Sequence, residues 1–245
     1  VSLDLDEWFQ PGWKFDLIRQ YEEDVTRYYH RFCTYWDSSK QNTSKHWHDR
    51  IHTRQGYRWS LPVHEIIEPY GKEEKVKWLH DWWMYQQPDM SKARSSYLPL
   101  LEVSVRERPE IWKSWSFLAS EYYTHGRHQD ALNALDKSLT IENSDKSFLH
   151  NFKATVYKQM EKFDDAVASL RLAIANSPNV REYQVYLAEM YEKEFDKTSN
   201  GSYLTFAKMH ILIAETITSK MDGYVFNPSC WDDKFTEIKN RILAK

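Results

Sequence analysis

The stretch Trp112–Leu139, WKSWSFLASEYYTHGRHQDALNALDKSL, decides how this chain is read. Within it Ala119, Tyr122, Gly126, Ala131 and Leu135 recur 35 positions later as Ala154, Tyr157, Glu161, Ala166 and Leu170. Ala188 and Tyr191 repeat the first pair again, 34 positions further on. Small residues at fixed places let two antiparallel helices approach closely, and Tyr and Leu on the intervening turns fill the seam. The spacing therefore predicts stacked helical hairpins.

Working outward, FDDAVASLRLAIANSP continues the second copy and Pro178 ends its second helix. The third copy carries an insertion around FDKTSNGS, Phe195–Ser202, with its second helix resuming near Tyr203. In front, ARSSYLPLLEVSVRERP reads as an unpaired half-repeat, and behind, WDDKFTEIKNRILAK reads as a helix closing the last exposed face. Two copies are well formed and one is degraded. The pattern resembles tetratricopeptide repeats, with Lys153 at a Leu position and Glu161 in place of the Gly as departures.

Composition bounds the rest. The 245 residues give room for two modules, and 33 basic against 36 acidic side chains leave a net charge of −3, so general nucleic-acid binding has no support from charge. Aromatic residues make up 16% of the chain, with 11 Trp and 16 Tyr concentrated before about Trp115, which suits a bulky core or a cleft that stacks flat ligands. Only Cys33 and Cys230 are present, far apart, so neither a disulfide framework nor a thiolate zinc site is indicated, and a reducing, cytoplasmic location is expected. No run approaches the roughly 18 apolar residues of a membrane span.

The character of the chain changes at Pro88, giving expected modules over residues 1–88 and 89–245. Before it, Val1, Leu3 and Leu5 alternate with Ser2, Asp4 and Asp6 as in the end of a strand, so the numbering is expected to start inside a domain. A helix is predicted over about Lys14–Glu23, a strand over Thr26–Trp36 and a loop over Asp37–Lys45. RIHTRQGYRWSLPVHEII reads as two extended runs around a turn at Gln55 and Gly56, and KVKWLHDWWMYQ as a further strand.

Several ionisable residues fall in suggestive places. In an extended segment Asp4 and Asp6 point to the same side, so two carboxylates can face one divalent ion. His64 and Glu65 follow Pro62 in apolar surroundings, and His80 lies between Leu79 and aromatic residues. Such groups are costly there unless used or hydrogen-bonded, and a satisfied core histidine is the plainer account of each one alone. His46, His48 and His52 form an H-x-H-x3-H cluster without an evident fourth ligand, so zinc is not favoured.

Taken in order, SLDLDEWFQPGW, RIHTRQGYRWSLPVHEII, KWLHDWWMYQ and the helical repeats resemble the second half of a GT-A glycosyltransferase of the large inverting family 2, in the subgroup with tetratricopeptide-like repeats behind the catalytic domain. The resemblance implies an α/β or α+β partial GT-A domain followed by an all-α repeat domain. It implies that Asp4, Asp6 and His80 hold Mn2+ or Mg2+, that Glu65 is the catalytic base, and that His64 and Trp59 line the acceptor and sugar pocket. Glu7 and Asp81 are alternatives to their neighbours. A nucleotide-sugar donor, UDP-linked by default, and an unidentified acceptor are implied as partners. The nucleotide-binding half that precedes the acidic pair in that family is absent here, so little transferase activity is expected of this piece alone. The competing reading is a non-catalytic interaction scaffold whose repeats hold a partner protein or a second copy of the chain.

Overall fold

A computed structural model of the chain describes Asp4 and residues 6–35, 43–71, 73–88, 97–220 and 227–245. They fall into two compact units, one ahead of Tyr97 and one from Tyr97 onward.

In the first unit four strands form one sheet in the order β1-β6-β2-β3: β1 is Glu7–Phe9, β2 Arg27–Tyr35, β3 Thr43–His52 and β6 Val76–Gln86. The pairs β1–β6 and β2–β3 are antiparallel, whereas β2 and β6 run parallel. A separate antiparallel hairpin joins β4 (Tyr57–Ser60) to β5 (Ile66–Pro69). Helix α1, Trp13–Gln20, follows Gly12, whose φ of 78° turns the chain from β1 into the helix. Phe9, Tyr28, Phe32, Ile51, Trp82 and Met84 alternate onto one face of the sheet, and Trp13 and Leu17 of α1 pack over them.

Three expectations for this unit change. Asp4 and Asp6 do not sit in a strand: Glu7 N–H bonds back to the Asp4 carbonyl at 3.2 Å, making a turn before β1, while Val1–Leu3 and Leu5 lie outside the described residues. The loop predicted over Asp37–Lys45 gives way to β3 from Thr43, with residues 36–42 outside the described set. The helix runs Trp13–Gln20 and stops short of Glu23 because Tyr21 is already extended. The runs on either side of Gly56 are extended as expected; β3 joins β2, and β4 joins β5. The result is a small mixed sheet.

The second unit is the helical repeat. Helix α2 (Leu98–Glu107) starts with Pro99 in its first turn, where the missing N–H costs no hydrogen bond. Three hairpins follow: α3 (Trp112–Thr124) with α4 (His128–Leu139), α5 (Lys146–Gln159) with α6 (Phe163–Asn176), and α7 (Arg181–Thr198) with α8 (Gly201–Thr216). Asp145 and Asn200 cap α5 and α8 by accepting from Phe148 N–H and Ser202 N–H, each at 3.0 Å. A 3-10 turn at Pro228–Cys230 leads to α9, Asp233–Ala244, the expected closing helix.

The repeated positions are where the hairpins close. Ala119, Ala131 and Leu135 are fully buried in the first hairpin; Ala154, Ala166 and Leu170 are buried in the second, and Ala188, Ala207 and Ile211 in the third. Each buried Leu or Ile contributes about 1.5–3 kcal/mol relative to exposure, so the seam is the main source of stability in each hairpin. The third copy lengthens its first helix to 18 residues, which absorbs the insertion without breaking the seam.

Candidate functional site

The first unit disperses the residues that the sequence suggests should meet. Asp4 is exposed and its Oδ2 accepts from the Arg50 guanidinium at 3.1 Å, tying it to β3. Asp6 Oδ2 instead accepts from Gln86 Nε2 at 3.3 Å, at the end of β6. His80 is exposed on β6 with its ring edge-on to Trp47, centroids 5.1 Å apart. Among the described residues no group of three or more His, Cys, Asp or Glu side chains is placed to hold a metal ion. The expected Asp4–Asp6–His80 set is thus not assembled, because the turn at Asp4 sends the two carboxylates to different strands. The same holds for His46, His48 and His52: the His46 and His48 rings share a face, while His52 Nδ1 lies 2.9 Å from the Thr53 carbonyl and its ring packs on Tyr57.

Glu65, His64 and Trp59 belong to the β4–β5 hairpin. Trp59 stands half-exposed on β4 with the Arg50 guanidinium 5.4 Å from its ring centroid. His64 and Glu65 are exposed at the entry to β5, between buried Val63 and Ile67. Leu61 and His64 both have left-handed backbone, φ 75° and 51°, a conformation that costs a residue with a Cβ about 1 kcal/mol or more. The hairpin holds that strain because Val63 and Ile67 anchor it on either side.

The ionisable groups that the sheet buries are different ones. Glu7 has a side chain only 2% exposed; burial pushes its carboxyl up, against the hydrogen bond from Asp4 N–H and the nearby Arg50 charge. His30 is fully buried, with its ring edge against Trp82 and stacked at 6.0 Å on His48. Burial lowers its pKa to about 4, helped by His48 and Arg50 and opposed by the Arg31 carbonyl and Asp49. Its Nε2 has no hydrogen-bond partner among the described residues, and neither has the buried Arg50 Nε. The alternation in Tyr28-Tyr29-His30-Arg31-Phe32 could have disclosed His30, since it shares a face with two core aromatics.

In the helical unit a groove of about 570 Å³ opens between the end of α5, the second half of α7 and α9. Most of its lining residues are charged, Lys158, Glu161, Lys193 and Asp196 among them, with Phe163 and Met190 as apolar patches. Glu192 fixes one wall. Its carboxylate accepts from Arg241 Nε at 2.9 Å and Nη2 at 2.7 Å, and Lys245 Nζ lies 3.0 Å away. Burial pushes this carboxyl up, but Arg241 and Lys245 together hold it below the usual carboxylate range. Lys158 and Lys193 line the rim.

No family model matches the chain, and no curated protein does. Solved structures of helical-repeat proteins are similar in part. A thermophilic TPR protein of Thermus thermophilus is 20% identical, with 60% of this chain and 72% of that one covered at a TM-score of 0.45. MamA is 14% identical, with 60% and 85% covered at 0.43. The type III secretion chaperone SycD of Yersinia enterocolitica, crystallised with a peptide of the translocator YopD, is 14% identical, with 54% and 92% covered at 0.43. The repeat itself stands on the 35-residue spacing and on the hairpins that bury it. No helix among the described residues is long and apolar enough to cross a membrane.

Proposed function

We propose that the chain acts as an interaction scaffold of the tetratricopeptide type, with the α5–α7–α9 groove as its peptide-binding surface. The observation that carries this reading is the groove of about 570 Å³ with lysines at its rim, on a stack of hairpins whose seams are closed by buried side chains. A stack of this sort offers a rigid surface at no folding cost to the complex, so binding energy is not spent on ordering the receptor. The test is a selection from a peptide library against the full chain, followed by affinity measurement on Lys158→Glu and Lys193→Glu. Peptides that lose binding in both variants, and keep it in Lys14→Glu, support the reading. Binders indifferent to the groove residues overturn it.

A second reading is kept because of one observation, the strained turn that presents Glu65. Exposed His64 and Glu65 follow backbone held in the left-handed region at Leu61 and His64, and such strain persists where the surrounding structure over-determines it, often at working sites. Together with the sequence resemblance, this supports a role for Glu65 as the base that takes a proton from an acceptor hydroxyl during transfer of a sugar from a nucleotide donor, with His64 and Trp59 lining the pocket. The carboxylates and imidazole expected to hold Mn2+ or Mg2+ do not fit a single ion as they stand, so no step of this reading runs through a metal. Thermal stabilisation by UDP or another nucleoside diphosphate, with and without Mn2+, tests it. A shift lost in Trp59→Ala favours the transferase; no shift with any nucleotide removes it.

A further inference from the structure

The second helices of the three hairpins correspond through Ala131, Ala166 and Ala207 and through Leu135, Leu170 and Ile211, all buried. That register lets their outward faces be compared position by position. Asn133, Asp136 and Lys137 on α4 correspond to Ala168, Arg171 and Leu172 on α6, and to Met209, Leu212 and Ile213 on α8. At these three positions the outer surface thus goes from polar, through mixed, to apolar along the stack. On α8, Phe206, Met209, Leu212 and Ile213 are 38–48% exposed and lie on one stripe, since they recur at intervals of three and four. A single exposed apolar side chain needs no explanation, but an uncharged stripe along a whole helix does.

We propose that this stripe is the interface of a homodimer, in which α8 packs antiparallel against α8 of a second copy. Two features favour a second copy over another partner. The stripe is free of charge, so it is complementary to itself, as a twofold interface requires. Helix α8 carries one lysine and one glutamate, Lys208 and Glu215, seven residues apart and therefore on the same flank. An antiparallel pairing centred on Ile211 sets Lys208 of each copy opposite residue 214 of the other, about 1.5 Å along the axis from Glu215. Opposite charges then meet at both ends of one edge, whereas a parallel twofold would put the two charged flanks on opposite edges, where neither lysine meets the partner's glutamate. Glu215 already takes Lys239 on its Oε1 at 2.6 Å, which orients the carboxylate and leaves its second oxygen for the partner's lysine. Leu172 on α6 extends the apolar surface in the neighbouring hairpin.

Sedimentation equilibrium of the full chain across the micromolar range tests this, together with disulfide trapping. A concentration-dependent dimer is expected, weakened ~10-fold or more by Leu212→Glu and by Met209→Lys. Both side chains face solvent in the monomer, so far-UV circular dichroism and melting should hardly change; the trapping arm stands even if a charged variant misfolds. In the antiparallel packing residue 212 lies about 3 Å from its twin along the axis and residue 206 about 15 Å. Leu212→Cys should therefore oxidise to a covalent dimer and Phe206→Cys should not, against the background of two buried native cysteines. A chain that stays monomeric, a dimer indifferent to both charged variants, or trapping at 206 as strong as at 212 would each overturn the proposal.

Discussion

Gly126 and Glu161 occupy the same place in consecutive repeats, and both have left-handed backbone, φ 72° and 59°. Around each, the chain closes the helix in the same way: Gly126 N–H bonds to the Tyr123 carbonyl and Arg127 N–H to Tyr122, while Glu161 N–H bonds to Lys158 and Lys162 N–H to Tyr157. This is the paired capping that a glycine ordinarily completes. Glutamate at the second site is therefore strained. Glu161→Gly should raise stability by about 1 kcal/mol, because relief of the backbone strain outweighs the extra freedom gained by the unfolded chain. Gly126→Ala should lower it by a similar amount even though no atom stands within 4 Å of the added Cβ, and urea denaturation of both variants reads the two signs.

That pair also marks how far the sequence could be read. The repeat was legible because Ala119, Ala131, Ala154 and Ala166 are small for a local reason, the close approach of two helices neighbouring in sequence. Even the replacement of the glycine by Glu161 left the spacing intact. The sheet was less legible. Strand β2 finds its parallel neighbour β6 some fifty residues away, and nothing local in Arg27–Tyr35 encodes that choice. The reading of Asp4 and Asp6 as a same-side pair required an extended backbone, which the turn to Glu7 removes. His30 was concealed by the ordinary polarity of histidine, although its strand alternation places it inward.

Burial of His30 predicts acid sensitivity. With a folded pKa of about 4 against an ordinary value of 6.5, the unfolded chain takes up the proton first as pH falls. Stability is then fully present above about pH 6.5 and is lost progressively towards pH 4, by about 3 kcal/mol over the window. The charged groups acting on it are His48, Asp49 and Arg50; Glu7, which also interacts with His48 and Arg50, has a raised pKa that acts in the opposite direction, favouring the folded state in acid. The difference between wild type and His30→Gln isolates the histidine. Guanidinium melts at pH 7 and pH 4.5 should show a smaller drop for the variant, and equal drops would assign the acid sensitivity elsewhere.

The Glu192–Arg241 pair should be the tether of the closing helix. Its carboxylate is nearly inaccessible and accepts two guanidinium hydrogen bonds, although Arg241 itself is half in solvent, which screens the attraction. Glu192→Gln is expected to cost about 1–2 kcal/mol, as charge-assisted bonds at a partly screened site are replaced by weaker ones. The carboxyl sits below its ordinary pKa, so its contribution is present above about pH 4.5 and fades as acid titrates it. Amide exchange should quicken in Asp233–Ala244 while α3 and α4 stay protected; uniform quickening would mean that Glu192 supports the whole unit.

Arg27 should be the clamp that keeps the β4–β5 hairpin, and with it His64 and Glu65, in place. It is buried on β2, where Nη2 donates to the Ile67 carbonyl at 2.8 Å, Nη1 to Asp49 at 2.9 Å, and Nε lies 2.8 Å from Glu74. Its guanidinium also stacks 4.8 Å over Tyr57 of β4. Arg27→Met fills the space but takes the guanidinium donor from the Asp49 carboxylate and the Ile67 carbonyl and the counter-charge from Glu74, which keeps the Tyr57 hydroxyl, at a cost of about 2–3 kcal/mol once the partial exposure of Asp49 and Glu74 is allowed for. Arg27→Lys should recover less than half of that, since a single ammonium cannot reach Asp49, Ile67 and Glu74 at once. Limited proteolysis would then cut first within Arg58–Glu68 in Arg27→Met. Cleavage that begins instead at the ends of the chain would show that the apolar contacts of Val63 and Ile67 hold the hairpin without the arginine.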